Sequence, residues 1–365
     1  MIYLDNGATS FYKPPEVARA VQWAMGHCAN PGRGGHPPAM TAARTVYRCR
    51  ELAGEMFDCL PEQVVLTGNC TQGLNIAINT LVKPESRVVI SGFEHNAVTR
   101  PLFARGIEPV IAGRKLFDQA DTLQRFQDAL KKGASAAVFT HCSNVFGYIL
   151  PVEEMAALCR MYGVPFVVDA AQSAGSLPVS LAKWGADFIA MPGHKGLLGP
   201  QGTGLLLCGS SPVPLMQGGT GSASRSQKMP EELPDMLEAG TVNVPGIAGL
   251  GASLAWLRKN GHSKILKKET EAMRRCADGL SQMGYHVFTG KDQTGTVSFT
   301  GKTDSDELAE KLGKRGVAVR GGLHCAPLAH ESAGTLESGT VRISFGMDAE
   351  LELCDRFLQI MKRIR

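Results

Sequence analysis

The chain reads as an α/β protein, with a large domain built on a mostly parallel sheet and a smaller α+β C-terminal domain. Three observations predict it. Between Val64 and Met191, short apolar runs alternate with segments of helical periodicity, as expected when helices cover both faces of a parallel sheet. Around Gly209–Pro234 that rhythm gives way to a Gly-, Ser- and Pro-rich stretch, read as an active-site or interface loop. Beyond it lies a different order of strands and helices over about 100 residues, enough to hold a core of its own.

Met1–Asn6 is expected to form a short strand, and Pro14–Gly26 a helix with Val17, Ala20, Val21 and Ala24 at helical spacing. Asn30–Pro38 is a loop of turn residues carrying Arg33 and His36, and Thr41–Phe57 is a long amphipathic helix. The alternation then runs strand Val64–Thr67, helix Thr71–Leu81, strand Val88–Ser91, helix Ala97–Arg105 and strand Pro109–Ala112. Helix Ala120–Lys132, strand Ala136–Thr140 and helix Val152–Tyr162 continue it. Two apolar strands follow, Pro165–Val168 delivering Asp169 and Phe188–Met191 running into Pro192-Gly193-His194-Lys195. After the Gly-rich stretch come helices Gly246–Lys259 and His262–Met283, then strands Tyr285–Phe288 and Thr296–Phe299. Helix Asp304–Arg315, strands Val317–Arg320 and Thr340–Ser344, and helix Ala349–Arg365 complete the order. The expected division is residues 15–255 as the large domain, with 1–14 and 256–365 forming the smaller one.

Composition narrows the function. At 365 residues the chain exceeds one small core, and ~150 residues per domain suggests two. A hydrophobic content of 44% beside 20% charged residues is that of a soluble globular protein. A net charge of +4, dispersed along the chain, argues against a nucleic-acid partner. No apolar run approaches the ~18 residues of a membrane span, and MIYLDNGATS lacks the basic and apolar regions of a signal peptide. The ten cysteines are scattered without metal-ligand spacing, so neither a metal nor a disulfide framework is expected, and a reducing cytoplasm is. Cys142, Cys159, Cys208, Cys276 and Cys354 sit in apolar patterns and read as small core residues.

Chemistry collects where parallel strands end. Asp169 and Lys195 reach one crevice from two strand ends, an acid and an amine about one βαβ unit apart. That pair suits pyridoxal phosphate: the amine forms the Schiff base, and the carboxylate keeps the pyridine nitrogen protonated. Taken alone, Asp169 reads equally as a helix cap and Lys195 as a surface lysine. Asn69, Cys70 and Thr71 form a small-residue turn into a helix, able to cradle a phosphate or simply to start the helix. His95 stands at a strand end, where imidazoles stack on rings, move protons or cap helices. Asn144 closes another strand, and Gln172 follows Asp169 on the same side of its turn.

Nine motifs in order then resemble one family: YLDNGAT, TGNCTQGLN, FEHNAV, HCSNVFG, VVDAAQSAG, GHKGLLGPQGTG, LEAGTVN, VRGGLHCAP and VRISFG. The chain resembles the fold-type I, class V pyridoxal-phosphate enzymes, and among them the NifS- and SufS-like group II cysteine desulfurases and selenocysteine lyases. The resemblance implies Lys195 as the Schiff-base lysine, Asp169 on the pyridine nitrogen, His95 on the ring face and Gln172 on the phenolic oxygen. Thr71 and His194 match phosphate contacts, Asn144 a substrate contact, and Arg320 and Arg342 the carboxylate-binding positions. Thr241 matches a residue that reaches the phosphate of a neighbouring subunit, which implies a homodimer. Cys325, on a Gly-Gly bend beside His324, reads from its residues alone as either a reactive or a structural thiol. The R-x-G-x-H-C match makes it the persulfide-forming nucleophile, which hands sulfur from L-cysteine to an acceptor protein or small thiol.

The sequence departs from the family's pattern at three points. Pro192 replaces a serine, Leu323 a histidine and Gly7 an alanine. These bear on substrate choice, and L-selenocysteine stands beside L-cysteine as a candidate. Another carbon–sulfur lyase, an aminotransferase and a non-catalytic sulfur-carrier scaffold are the remaining alternatives.

Overall fold

The computed structural model describes residues 1–32 and 34–364. Arg33, placed in the loop before the second helix, and Arg365, placed at the end of the last one, lie outside the described residues.

The chain opens with β1 (Ile2–Tyr3), α1 (Pro15–His27) and α2 (Pro37–Phe57). The second helix begins earlier than its apolar pattern suggests, because Pro37 and Pro38 occupy the first turn, where a missing N–H costs nothing. Then come β2 (Val64–Thr67), α3 (Cys70–Leu81), β3 (Val88–Ile90), α4 (Asn96–Phe103), β4 (Val110–Ile111), α5 (Gln119–Lys131), β5 (Ala136–Thr140) and α6 (Val152–Tyr162). Next are β6 (Phe166–Asp169), the single turn α7 (Leu181–Trp184), β7 (Phe188–Pro192) and β8 (Gly204–Cys208). After an irregular stretch follow α8 (Val244–Asn260), α9 (His262–Gln282), β9 (His286–Phe288), β10 (Thr296–Thr300) and α10 (Ser305–Gly313). The chain ends with β11 (Val317–Ala318), α11 (Pro327–Ala333), β12 (Val341–Ser344) and α12 (Leu351–Ile364).

The large sheet has seven strands in the order β2-β8-β7-β6-β5-β3-β4. All run parallel except β8, which lies antiparallel between β2 and β7. Sequence reading leaves this strand out. Eleven residues without a helix separate β7 from β8, less than the helical crossover that a parallel neighbour requires, so the chain folds back antiparallel. Alternate strand residues enter opposite layers. Val65, Ile90, Val138, Val167 and Leu206 pack under α3 and α4, while Val64, Val89, Phe139, Val168 and Ile189 pack on the other face. Burial on both faces is why these strands read as continuous apolar runs rather than alternations.

The smaller unit holds β10 between β9 and β12, all antiparallel, beneath α9 and α12. Its core takes in Ile2 and Leu4, because β1 pairs parallel with β11. No helix among the described residues is long and apolar enough to cross a membrane.

Candidate active site

β6 delivers Asp169 to the carboxyl edge, where it is 2% exposed. It accepts the Ala171 N–H at 2.9 Å and the Cys70 S–H at 3.4 Å. Burial, and then Asp169, push the Cys70 thiol far above its ordinary range, so it stays a neutral donor. β7 runs out into the turn that carries Lys195. This turn is pinned from two sides: the His194 carbonyl accepts from the Ser10 N–H and hydroxyl, each at 3.0 Å, and Gly196 packs against Gly175. A Cβ on Gly175, whose φ is +90°, would lie 2.2 Å from the Gly196 carbonyl oxygen, so only glycine admits this approach. His194 Nδ1 pairs with the Thr9 hydroxyl at 3.0 Å, and burial beside Lys195 lowers its pKa to about 4.

Lys195 and Asp169 line one cavity with about 520 Å3 of empty space, yet they form no ion pair within 4 Å. Burial is the largest influence on the Lys195 amine and lowers its pKa, opposed by Asp169 and Cys70 and reinforced by Arg342 and Arg320. The cavity gathers the sequence's candidates Asn69, Cys70, Thr71, His95, Asn144, Gln172 and His194. Asn69 caps α3 by accepting the Gln72 N–H at 2.9 Å, while the Cys70 and Thr71 amides have no acceptor among the described residues. Open amides at the start of a twelve-residue helix suit an anion. His95 caps a helix and also borders the cavity. Its Nδ1 accepts the Ala97 N–H at 3.0 Å as the cap of α4, leaving the ring proton on Nε2, and the ring lines the cavity. Burial lowers its pKa and keeps it neutral. Gln172 donates to the Gly7 carbonyl at 3.0 Å.

Cys325 is exposed and lies outside that lining. His324 and Cys325 both adopt left-handed backbone, with φ of 51° and 57°. For side-chain-bearing residues this costs roughly 1–2 kcal/mol each, so the loop must be held from outside. Asn144 donates to the His324 carbonyl at 2.7 Å, the Asn96 N–H donates to the Cys325 carbonyl at 2.7 Å, and His324 Nε2 bonds the Arg320 carbonyl at 3.1 Å. His324 is buried, stacked at 5.7 Å on His330, and neutral, its pKa lowered by burial to about 3. The Arg320 guanidinium stands 3.9 Å from the Cys325 sulfur.

Arg342 is 1% exposed and already engaged. It donates to the Asn144 carbonyl at 3.0 Å and to Asp5 at 2.6 Å, leaving Nε without a partner. Arg320 forms no ion pair within 4 Å among the described residues, so its charge is the freer of the two. A Cβ on Gly7 would meet the Arg342 guanidinium carbon at 3.2 Å, so glycine here leaves room beside that group. Thr241 is exposed and does not reach the Lys195 cavity. It lines a neighbouring one with Thr67, Gly68 and Gln72, on the β2–α3 turn. Sequence reading passes over Asp5 and Glu94. Glu94 is wholly buried, accepts the Thr140 N–H on both oxygens, and is held up to about 8 chiefly by burial.

No group of three or more His, Cys, Asp or Glu able to hold a metal occurs among the described residues. The donor set does fit pyridoxal phosphate: an unpaired buried amine, a buried acid and open helix-terminal amides face one cavity.

The profile of the family described as Aminotransferase class-V matches residues 2–357. A probable cysteine desulfurase of Methanothermobacter thermautotrophicus is 31% identical over 98% of this chain and 94% of its own. One from Pyrococcus abyssi is 30% identical over the whole chain and 94% of its own. The apo structure of a cysteine desulfurase from Thermococcus onnurineus superposes with a TM-score of 0.90 at 29% identity, covering all of this chain and 94% of that one.

Proposed function

The chain belongs to the class V aminotransferases, within their cysteine desulfurases, and from that premise we propose how its residues divide the work. We assign pyridoxal phosphate to the cavity shared by Lys195 and Asp169. When bound, this group withdraws electrons from the α-carbon of an attached amino acid. The domains we assign are residues 15–255, carrying that cavity, and 1–14 with 256–365, carrying the cysteine loop.

Lys195 would hold the cofactor through its Nζ and, when that atom is free, would take the α-proton there. Burial supports this, since a lowered lysine pKa makes the neutral amine available as a base. Asp169 holds a proton on the ring nitrogen and His95 covers the ring. Gln172 contacts the phenolic oxygen, while Asn69, Cys70, Thr71 and His194 hold the phosphate. Arg320 and Arg342 bind the carboxylate of L-cysteine with Asn144 beside them, and Arg342 must share its guanidinium with Asp5 to do so. Cys325 as thiolate attacks the substrate sulfur. A sulfur–sulfur bond forms, the carbon–sulfur bond breaks with its electron pair left on carbon, and alanine departs after protonation. A protein thiol or small reductant then takes the outer sulfur by exchange. Thr241, exposed and turned from its own cavity, is assigned to the phosphate of a second copy in a homodimer. A persulfide of this kind and ten free cysteines suit a reducing cytoplasm.

One observation carries the reading: an exposed cysteine sits beside a free arginine on a loop tied through Asn144 and Asn96 to the walls of the lysine cavity. Purified protein given L-cysteine or L-selenocysteine under reductant is expected to release alanine from both, with Cys325→Ala losing only the cysteine reaction. Alanine from selenocysteine alone would make the protein a selenocysteine lyase. A keto acid in place of alanine would make it an aminotransferase.

A further inference from the structure

Lys195 and Gln172 line a second cavity as well, with about 540 Å3 of empty space, and none of the steps above uses it. Part of its wall is α9, which contributes Glu269. This side chain is 9% exposed and has no hydrogen-bond or ion-pair partner among the described residues. It is fixed by close packing: a Cβ on Gly295 would lie 2.5 Å from the Glu269 Cβ, so the strand-leading glycine lets the helix close down. Burial, with Asp348 nearby, raises the Glu269 pKa to about 8, so near neutral pH it holds a proton. The charged group acting on it is Asp348, half-buried after β12, and Lys195 lines the same chamber from the β7–β8 turn. Asn6, Ser10, Thr294 and Thr296 supply the polar surface that keeps such a space wet, each buried water making about three hydrogen bonds.

We propose that this chamber is the proton outlet of Lys195: ordered water carries protons between the lysine amine and the Glu269 carboxyl, and Asp348 passes them to solvent. The inference rests on Lys195 acting as the base. The transfer balances. The amine gains the substrate's α-proton and releases one to water, Glu269 takes that proton on one oxygen as it yields its own towards Asp348, and the same path run in reverse returns a solvent proton through Lys195 to the product's α-carbon. Glu269 touches neither substrate nor cofactor and is a positioning residue.

The test follows the proton itself. The holoenzyme is given L-cysteine deuterated at the α-carbon in ordinary water, and alanine is measured for yield and for retained deuterium. Wild-type alanine is expected to carry little label, because the lysine exchanges its deuteron through the outlet. Glu269→Gln is expected to raise retention several-fold, Asp348→Asn to raise it less, and Glu269→Asp to restore most of the exchange. In the apo-protein, the infrared signal of protonated carboxyls at neutral pH is expected to lose one component in Glu269→Gln. Equal retention in wild type and Glu269→Gln, with alanine formed by both, overturns the outlet and leaves the desulfurase reading standing, whatever happens to the rate. A wild type that forms no alanine overturns the role of Lys195 and the outlet with it.

Discussion

Lys195 and Asp169 face one cavity without meeting, and a ligand between them must supply the contacts that each lacks. Both were legible in the sequence, because residues at the ends of buried parallel strands converge on one edge whatever the details of packing. Glu269 was not. It sits in the charged run KKETEAMRR and looks like any exposed helical acid until Gly295 draws it inside. Asp5 and Glu94 were missed for the same reason, since burial of a carboxyl is decided by tertiary neighbours. A stability consequence follows for Glu269. Its folded pKa of about 8 lies above the ordinary 4.5, so its contribution is complete below pH 4.5 and is lost as pH rises to 8. Glu269→Gln is therefore expected to stabilise the apo-protein by ~1–3 kcal/mol at pH 8 and to change little at pH 4.5. Thermal melts at the two pH values measure it, and an equal effect at both would show that the carboxyl is not held protonated.

The elements that place chemistry are a hairpin and a loop. The cysteine loop keeps two left-handed residues only because Asn144 and the Asn96 amide hold its carbonyls. Asn144→Ala removes one tether worth about 1 kcal/mol, so amide exchange within residues 323–326 is expected to speed up roughly five-fold. Unchanged exchange would mean that the loop holds its own shape. In the hairpin, Gly204 of β8 lies against the β2–α3 turn, where a Cβ would fall 2.8 Å from the Asn69 carbonyl carbon. Gly204→Ala is expected to push the turn and weaken pyridoxal phosphate binding by roughly ten-fold, read by absorbance titration, since overpacking typically costs ~1–3 kcal/mol. The motif around Gly204 was visible in the sequence, but not its strand. GLLLC follows the lysine turn too closely for the alternating pattern to accommodate it, and only the pairing with both β2 and β7 reveals why it reverses direction.

For the molecule as a whole, buried ionisable groups pull stability in opposite directions. His141, His194, His324 and His330 have folded pKa values of about 4, 4, 3 and 4, below the ordinary 6.5, each lowered chiefly by burial. What they contribute is present above pH 6.5 and is lost as pH falls towards 4, because the unfolded chain then binds protons that the folded one refuses. Glu94 and Glu269, both held at about 8, lose their contribution as pH rises from 4.5 to 8. Between 4.5 and 6.5 four imidazoles outweigh two carboxyls, a net gain of ~2.7 kcal/mol per pH unit, and above 6.5 the carboxyls act alone. The melting midpoint of the apo-protein is expected to peak near pH 6.5, and one still climbing at pH 8 would contradict this balance. The alternation of strand and helix made the large unit readable from sequence. The placing of residues 1–14 with the C-terminal unit was expected from sequence, but the pairing of β1 with β11 was not, because no local pattern records a contact between distant segments.

That pairing has a consequence for how the protein comes into being. During synthesis, Ile2 and Tyr3 leave the ribosome long before β11, the strand with which they pair, has been made. Leu4 likewise waits for β12, whose Ser344 donates to its carbonyl. The same early segment brings Asn6, Gly7 and Ser10 to Lys195, so the growing chain can fold its parallel sheet and still have an unfinished lysine turn. A nascent chain stalled before β11 is thus a protein with a lysine crevice and no floor beneath it, and Cys325, emerging later still, arrives only when that floor is ready to close.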